Sequence, residues 1–361
     1  MALGQQINVE RILTRVAEYK ASDLHLTVGT PPVLRVDGKL ITLTDEEVIT
    51  PEFMDSVLEQ VMNEEQRAVL EKERGVLFTF DFSNKARFKI NIFYQRGYPS
   101  ASLRYIPAEI KSIPELGLPP VVETFARFKK GLVIVSGSFG SGRTATLAAL
   151  VNTINKERAE HVVTIENPIE YLFFNNKSII EQREVGHDAP SFTRALLNIY
   201  QEDVNVVVIS ELETPEVIEQ ALKVAESGRL VLTSMSTENA VQTVEKILSS
   251  FAIEQQEQIR IQLSETLQGI VAQRLLPRIG GGTVAVAEVL TVTPAIRSVI
   301  RDGAIYQIQT ILQTSREEGM IALDRALADR VKTGEVLEDE ALKHASDRNT
   351  VKLMLRPIPG M

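Results

Sequence analysis

The sequence predicts an α/β protein in which a small α+β domain precedes a larger domain built on a parallel sheet. Three observations carry that expectation. Short, wholly apolar runs (LVIVS from Leu132, VVTIE from Val162, VNVVVIS from Val204, LVLTS from Leu230) alternate with helical stretches, the pattern of strands buried on both faces. Before Pro107 the strand-like runs LFTFDF and RFKINIFY alternate apolar and polar residues instead, as in a half-buried sheet. Between the two regimes stand prolines 107, 114, 119 and 120, which fix φ and withhold donors. The expected organisation is an N-terminal domain over 1–106, a linker over 107–120 and a large domain over 121–361.

The elements follow in order. Val9, Ile12, Leu13 and Val16 recur at helical spacing and predict a first helix. In VLRVDGKLITL, Asp37-Gly38 between alternating apolar residues predicts a hairpin. Thr50-Pro51 opens a second helix through Met54, Val57, Leu58 and Val61. LFTFDF and RFKINIFY form strands joined by a turn at Ser83–Ala86, and ASLRYI is a third strand ending at Pro107. After about residue 255 the chain reads as mostly helical, except for a hairpin around Gly280–Gly282. Met320, Leu323, Leu327 and Val331 read as packed core, and Pro357–Met361 as a flexible tail.

Composition narrows the function. Lys+Arg number 39 against 48 Asp+Glu, a net charge of −9, which argues against a protein that neutralises nucleic-acid backbones. Cysteine is absent, so no disulfide, thiol nucleophile or thiolate metal site exists. The four histidines, His25, His161, His187 and His344, lack metal-ligand spacing. The apolar runs are too short to span a bilayer, and the charged N-terminus is no signal peptide. A soluble, cytoplasmic protein is expected.

The chemistry concentrates after Leu132. A buried strand, the turn Gly137-Ser138-Phe139-Gly140-Ser141-Gly142-Arg143-Thr144 and a helix follow in direct succession. The octapeptide fits the phosphate-loop pattern G-x-x-x-x-G-K-[ST] except that Arg143 replaces the lysine. Glycines let backbone N–H groups curl around phosphate oxygens, the helix start adds positive field, and Thr144 can ligate Mg²⁺. Arg143 keeps the charge, but a planar fork does not replace a compact ammonium. From the octapeptide alone, a ligand-free β–α turn competes with a nucleotide site. Two further strand ends favour the nucleotide: VVTIE closes on Glu166 and VVVISE on Glu211, where ligands gather in an open α/β sheet. Two such acids can divide the work of holding Mg²⁺ and orienting an attacking water.

These motifs, with ASDLHLTVGTPPVLRVDGKL at 21–40, TIENPIEY, QREVG at 182–186, GRLVLTSMSTENA and GGGTVAVAEVL, resemble the pilus-retraction ATPases of the PilT/PilU type, within the secretion-ATPase superfamily. The resemblance runs almost end to end. It implies a PAS-like N-terminal domain and a RecA-like motor domain, assembled as a hexameric ring on the cytoplasmic side of the inner membrane at the pilus base. It further implies ATP and Mg²⁺ as ligands, an inner-membrane platform protein as partner, and Arg87, Arg96 and Arg104 as arginines that approach the phosphates.

The chain departs from the family at several charged positions. The loop lysine is Arg143, the acid after Glu166 is Asn167, the His-box histidine is Ser236, and Leu197 and Gln201 stand where arginines are expected. Ser210 replaces a glycine, and Leu212, Glu213 and Thr214 follow Glu211 in place of M-R-D. Phosphoryl transfer relies on positioning and positive charge, so these losses predict weak turnover. Three readings stand: a nucleotide-binding ring subunit with weakened hydrolysis, in a homomeric ring or beside an active paralogue; a fully active retraction ATPase; and a pilus-assembly or type II secretion ATPase. The last is disfavoured because such members carry a tetracysteine module.

Overall fold

The computed structural model describes residues 9–82 and 86–356. Most of the Ser83–Ala86 turn and the whole Pro357–Met361 tail therefore lie outside the described residues. The chain divides into two compact units, Met1–Glu109 with Pro168–Leu172, and Ile110–Asn167 with Phe173–Met361.

The first unit is an antiparallel sheet with helices on it. Its strands are β1 (Asp23–Thr27), β2 (Val33–Val36), β3 (Lys39–Thr42), β4 (Gly75–Phe82), β5 (Ala86–Gln95) and β6 (Tyr98–Pro107), in the spatial order β3-β2-β1-β6-β5-β4. Asp37 and Gly38 both take positive φ, 49° and 79°, so the β2–β3 hairpin forms at the expected dipeptide. The helix Val9–Glu18 buries the four residues named from its spacing, and Pro51–Val61 is capped by the Thr50 hydroxyl. Both pack on Leu24, Leu34, Phe88, Ile90 and Leu103 of the sheet. A third helix, Glu64–Glu73, has weak apolar periodicity and was not expected. Asn63 and Gln66 form a reciprocal capping box at its start, and only Leu70 is buried.

The second unit is a seven-stranded sheet sandwiched by helices. Strands β7 (Gly131–Ser136), β8 (His161–Glu166), β9 (Ile179–Glu184), β10 (Val206–Ile209), β11 (Leu230–Met235), β12 (Leu267–Pro277) and β13 (Thr283–Thr291) lie in the order β13-β12-β7-β11-β10-β8-β9. All pairings are parallel except β12–β13. The apolar runs are explained by burial on both faces. Val133 and Val135 pack against Leu147, Leu150 and Ile154 of the helix Arg143–Glu157, while Leu132 and Ile134 face the opposite core.

One expectation changes here. The 107–120 stretch is only partly linker-like: Ile113 and Leu118 are buried with Val122 and Phe125, because the prolines stiffen a segment that still carries core side chains. The hairpin expected around Gly280–Gly282 forms, and its two long arms, β12 and β13, extend the main sheet. Met320, Leu323 and Leu327 are buried as expected.

Candidate nucleotide site

In the second unit, the strand order puts the singled-out loops along one edge of the sheet. β7 runs into Gly137–Thr144, its neighbour β11 ends before Ser236, β10 ends before Glu211, and β8 ends in Glu166. Because these strands are parallel, all four positions lie at carboxyl ends, the edge where an open α/β sheet binds ligands.

The loop is held tightly at its base and open at its tip. A Cβ on Gly137 would stand 2.3 Å from Ser141 Oγ and 2.4 Å from the Gln273 carbonyl oxygen, so only glycine fits. Gly140 and Gly142 take φ of 78° and 90°, and Gly142 caps the helix Arg143–Glu157. Ser138, Phe139 and Gly140 are exposed, with Phe139 at 83%. Arg143 and Thr144 are the first two helical residues, where N–H groups have no acceptor one turn back. Ser141 Oγ is buried without a hydrogen-bond partner among the described residues. A cradle closed by glycine, an orphaned hydroxyl and a helix start suit a phosphate group.

The charges of the site are already engaged with one another. Arg143 Nη1 donates to Glu211 Oε1 at 2.7 Å, with both side chains partly buried. The loop cation and the β10 acid thus neutralise each other. Glu166 is buried, and its Oε1 accepts from Thr164 Oγ1 at 2.6 Å and from Gln182 Nε2 at 3.1 Å. Those two bonds fix the carboxylate against its own strand and β9. At the Ser236 position, where the histidine is missing, the Lys246 ammonium approaches Ser236 Oγ at 3.2 Å. Lys246 lies on the helix Ala240–Ser249. The sequence offered no sign of it, because ten residues separate the pair.

The three arginines expected from the first unit divide. Arg87 donates to Thr79 Oγ1 at 2.8 Å and approaches Asp81 at 2.6 Å. Arg104 donates to Asp23 Oδ1 at 3.0 Å across the β1–β6 pair. Lys89, directly opposite Arg104 in the ladder, pairs with Glu170 at 2.8 Å. Arg87, Lys89 and Arg104 therefore share one end of β5–β6. Arg96 sits apart, in the β5–β6 turn with φ of 51°, roughly 30 Å from Arg87 at about 3.3 Å per strand residue. Lys89 was missed in the sequence, although its alternation with Arg87 marks the same face.

Residues 5–281 match the family model for type II/IV secretion system proteins. The chain is similar to the type IV pilus retraction ATPase PilT of Pseudomonas aeruginosa, 34% identical over 339 residues that cover 94% of this chain and 98% of that protein. It is also similar to the type IV pilus ATPase PilU of the same organism, 35% identical over 348 residues, 96% of this chain and 91% of the relative. Among solved structures it resembles the pilus retraction motor PilT with bound ADP, at 39% identity and a TM-score of 0.84, covering 96% of this chain and all of that one. The Legionella pneumophila ATPase DotB shares the fold at 20% identity and a TM-score of 0.79, over 92% of this chain and 93% of that one.

Proposed function

This chain belongs to the type II/IV secretion system protein family, and from that premise we propose that it is a nucleotide-binding, PilT-like ring subunit with weakened ATP hydrolysis. It would serve type IV pilus retraction in a hexameric ring at the cytoplasmic face of the inner membrane, against a pilus platform protein. The ring is homomeric or mixed with an active paralogue. Among the described residues no helix is long and apolar enough to cross a membrane, so attachment would run through a partner.

The single observation that carries the weakened reading is the Arg143–Glu211 ion pair. Each partner has another task in an ATPase: the loop cation draws in phosphate oxygens, and the β10 acid holds the hydrated metal. Bound Mg²⁺, held by Thr144 and Glu211, would neutralise charge on the β and γ oxygens. For Arg143 and Glu211 to serve nucleotide, their mutual bond must open, which costs about 1.5–3 kcal/mol for a charged hydrogen bond. That cost lowers affinity or rate by roughly 10- to 150-fold unless new contacts offset it. Glu166, tied to Thr164 and Gln182, would orient the attacking water.

One observation favours the second reading, a fully active retraction ATPase: Lys246 brings an ammonium to the Ser236 position and could restore the lost positive charge. Steady-state phosphate release with ATP and Mg²⁺ separates the two, with Glu211→Gln as background. Release equal to that background supports the weakened subunit. Release far above it makes the protein a working motor and overturns the weakened reading.

A further inference from the structure

Gln273 lies on β12, in the strand next to the phosphate loop, and nothing in the loop's own motif points to it. Its side chain is buried at 3% exposure, with both ends of the amide in use. Nε2 donates to the Ser141 carbonyl oxygen at 2.8 Å, and Oε1 accepts from Thr146 Oγ1 at 2.8 Å. Ser141 belongs to the loop and Thr146 to the first turn of the helix that follows, so one amide bridges loop, helix and sheet. The same residue fills the space behind two loop glycines. A Cβ on Gly137 would strike the Gln273 carbonyl oxygen, and one on Gly142 would lie 3.1 Å from its Nε2.

We propose that Gln273 is the positioning residue of the phosphate loop, fixing the direction of the Ser141–Gly142 peptide so that the loop meets a phosphate preformed. A trans peptide is planar, with its C=O and N–H pointing opposite ways. Pinning the Ser141 carbonyl against β12 turns the Gly142 N–H away from the sheet, as an anion-binding loop needs. A neutral amide does this without burying a charge beside the phosphates, and it satisfies a carbonyl that would otherwise be buried unpaired. The neighbouring residues of the hairpin act on the adjacent loop. Arg274 donates to the Glu238 carbonyl at 3.2 Å, and Glu288 on β13 accepts from the Ala240 N–H at 2.9 Å. The β12–β13 hairpin is thus the frame of the nucleotide edge.

The proposal rests on the nucleotide reading, so its test carries one readout that needs nucleotide and one that does not. Calorimetric titration with ADP and amide hydrogen exchange of residues 137–144 without ligand are measured for wild type, Gln273→Ala, Gln273→Glu and Thr146→Val. Gln273→Glu keeps the acceptor for Thr146 but removes the donor to Ser141. Both Gln273 variants are expected to bind ADP about 10-fold more weakly, the scale of one lost hydrogen bond and an unpaired carbonyl. Exchange is expected to speed up in the loop while β7 and β10 stay protected, which a general loss of core stability would not produce. Thr146→Val, nearly isosteric, is expected to loosen the loop by a smaller factor and carries the test if Gln273→Ala does not fold. Wild-type affinity and wild-type loop exchange in these variants would overturn the proposal. If wild type itself fails to bind ADP, the nucleotide reading falls, and loop exchange alone decides the role of Gln273.

Discussion

At the residue scale, the site is governed by how its charges engage one another. Arg143 and Glu211 satisfy each other at 2.7 Å, so any ligand must compete with that bond. Arg143→Lys shortens the fork to a point charge and is expected to raise phosphate release about 10-fold above wild type. An unchanged rate would place the block elsewhere. Glu211→Gln weakens the pair from the other side. Without Mg²⁺, ADP is expected to bind this variant about 10-fold tighter than wild type, because Arg143 is released toward phosphate. Weaker binding in a magnesium-free titration would count against the competing pair. Glu288 offers a test of pH. Burial pushes its carboxyl up from 4.5, against the pull of the Ala240 and Leu323 N–H groups and of Arg274, while Asp324 adds to the rise. The folded state then holds this proton more tightly than the unfolded chain. Glu288 accordingly reduces stability as pH rises from about 4.5 through its raised value, by at most ~1.4 kcal/mol per pH unit. Urea midpoints taken across that window should decline in wild type more steeply than in Glu288→Gln, and equal slopes would refute the assignment.

At the element scale, the strand–loop–helix unit depends on a close approach that only one residue type allows. Gly137→Ala drives a methyl into Ser141 Oγ and the Gln273 carbonyl, so the loop must shift or the β7–β12 seam must open. A loss of about 1–3 kcal/mol in urea unfolding is expected, together with loss of ADP binding. Retained affinity would mean that the loop tolerates a different path. What the sequence showed of these elements follows from range. The 137–144 loop, the Asp37-Gly38 turn and the first helix declare themselves in a few consecutive residues. The helix Glu64–Glu73 is fixed by a cap rather than by periodicity, and β9 is a short edge strand with a mixed pattern. The partners that shape the site come from far along the chain. Ser141 and Gln273 lie 132 residues apart and Arg143 and Glu211 68, so only the sheet order brings them together. The glycines and acids were legible, then, while their engagement was not. The family resemblance groups Arg96 with Arg87 and Arg104, while the turn it occupies places it at the other end of the β5–β6 ribbon.

At the scale of the whole molecule, the proposed ring gathers chains that each carry a net charge of −9. Like-charged subunits repel over a distance set by salt: the Debye length falls from about 30 Å at 0.01 M to about 8 Å at 0.15 M. Repulsion between whole subunits is therefore screened at the higher salt, whereas close apolar contacts are unaffected or strengthened. If net charge is the main obstacle to closure, assembly should tighten as salt rises over that range. Mass photometry with ADP and Mg²⁺ is expected to show a species near six times the chain mass, forming at lower protein concentration in 0.15 M salt than in 0.01 M. Assembly that weakens with salt would instead identify an interface built on opposite charges. A single-chain mass at every condition would remove the homomeric ring and leave the mixed ring, in which this chain closes only beside an active paralogue.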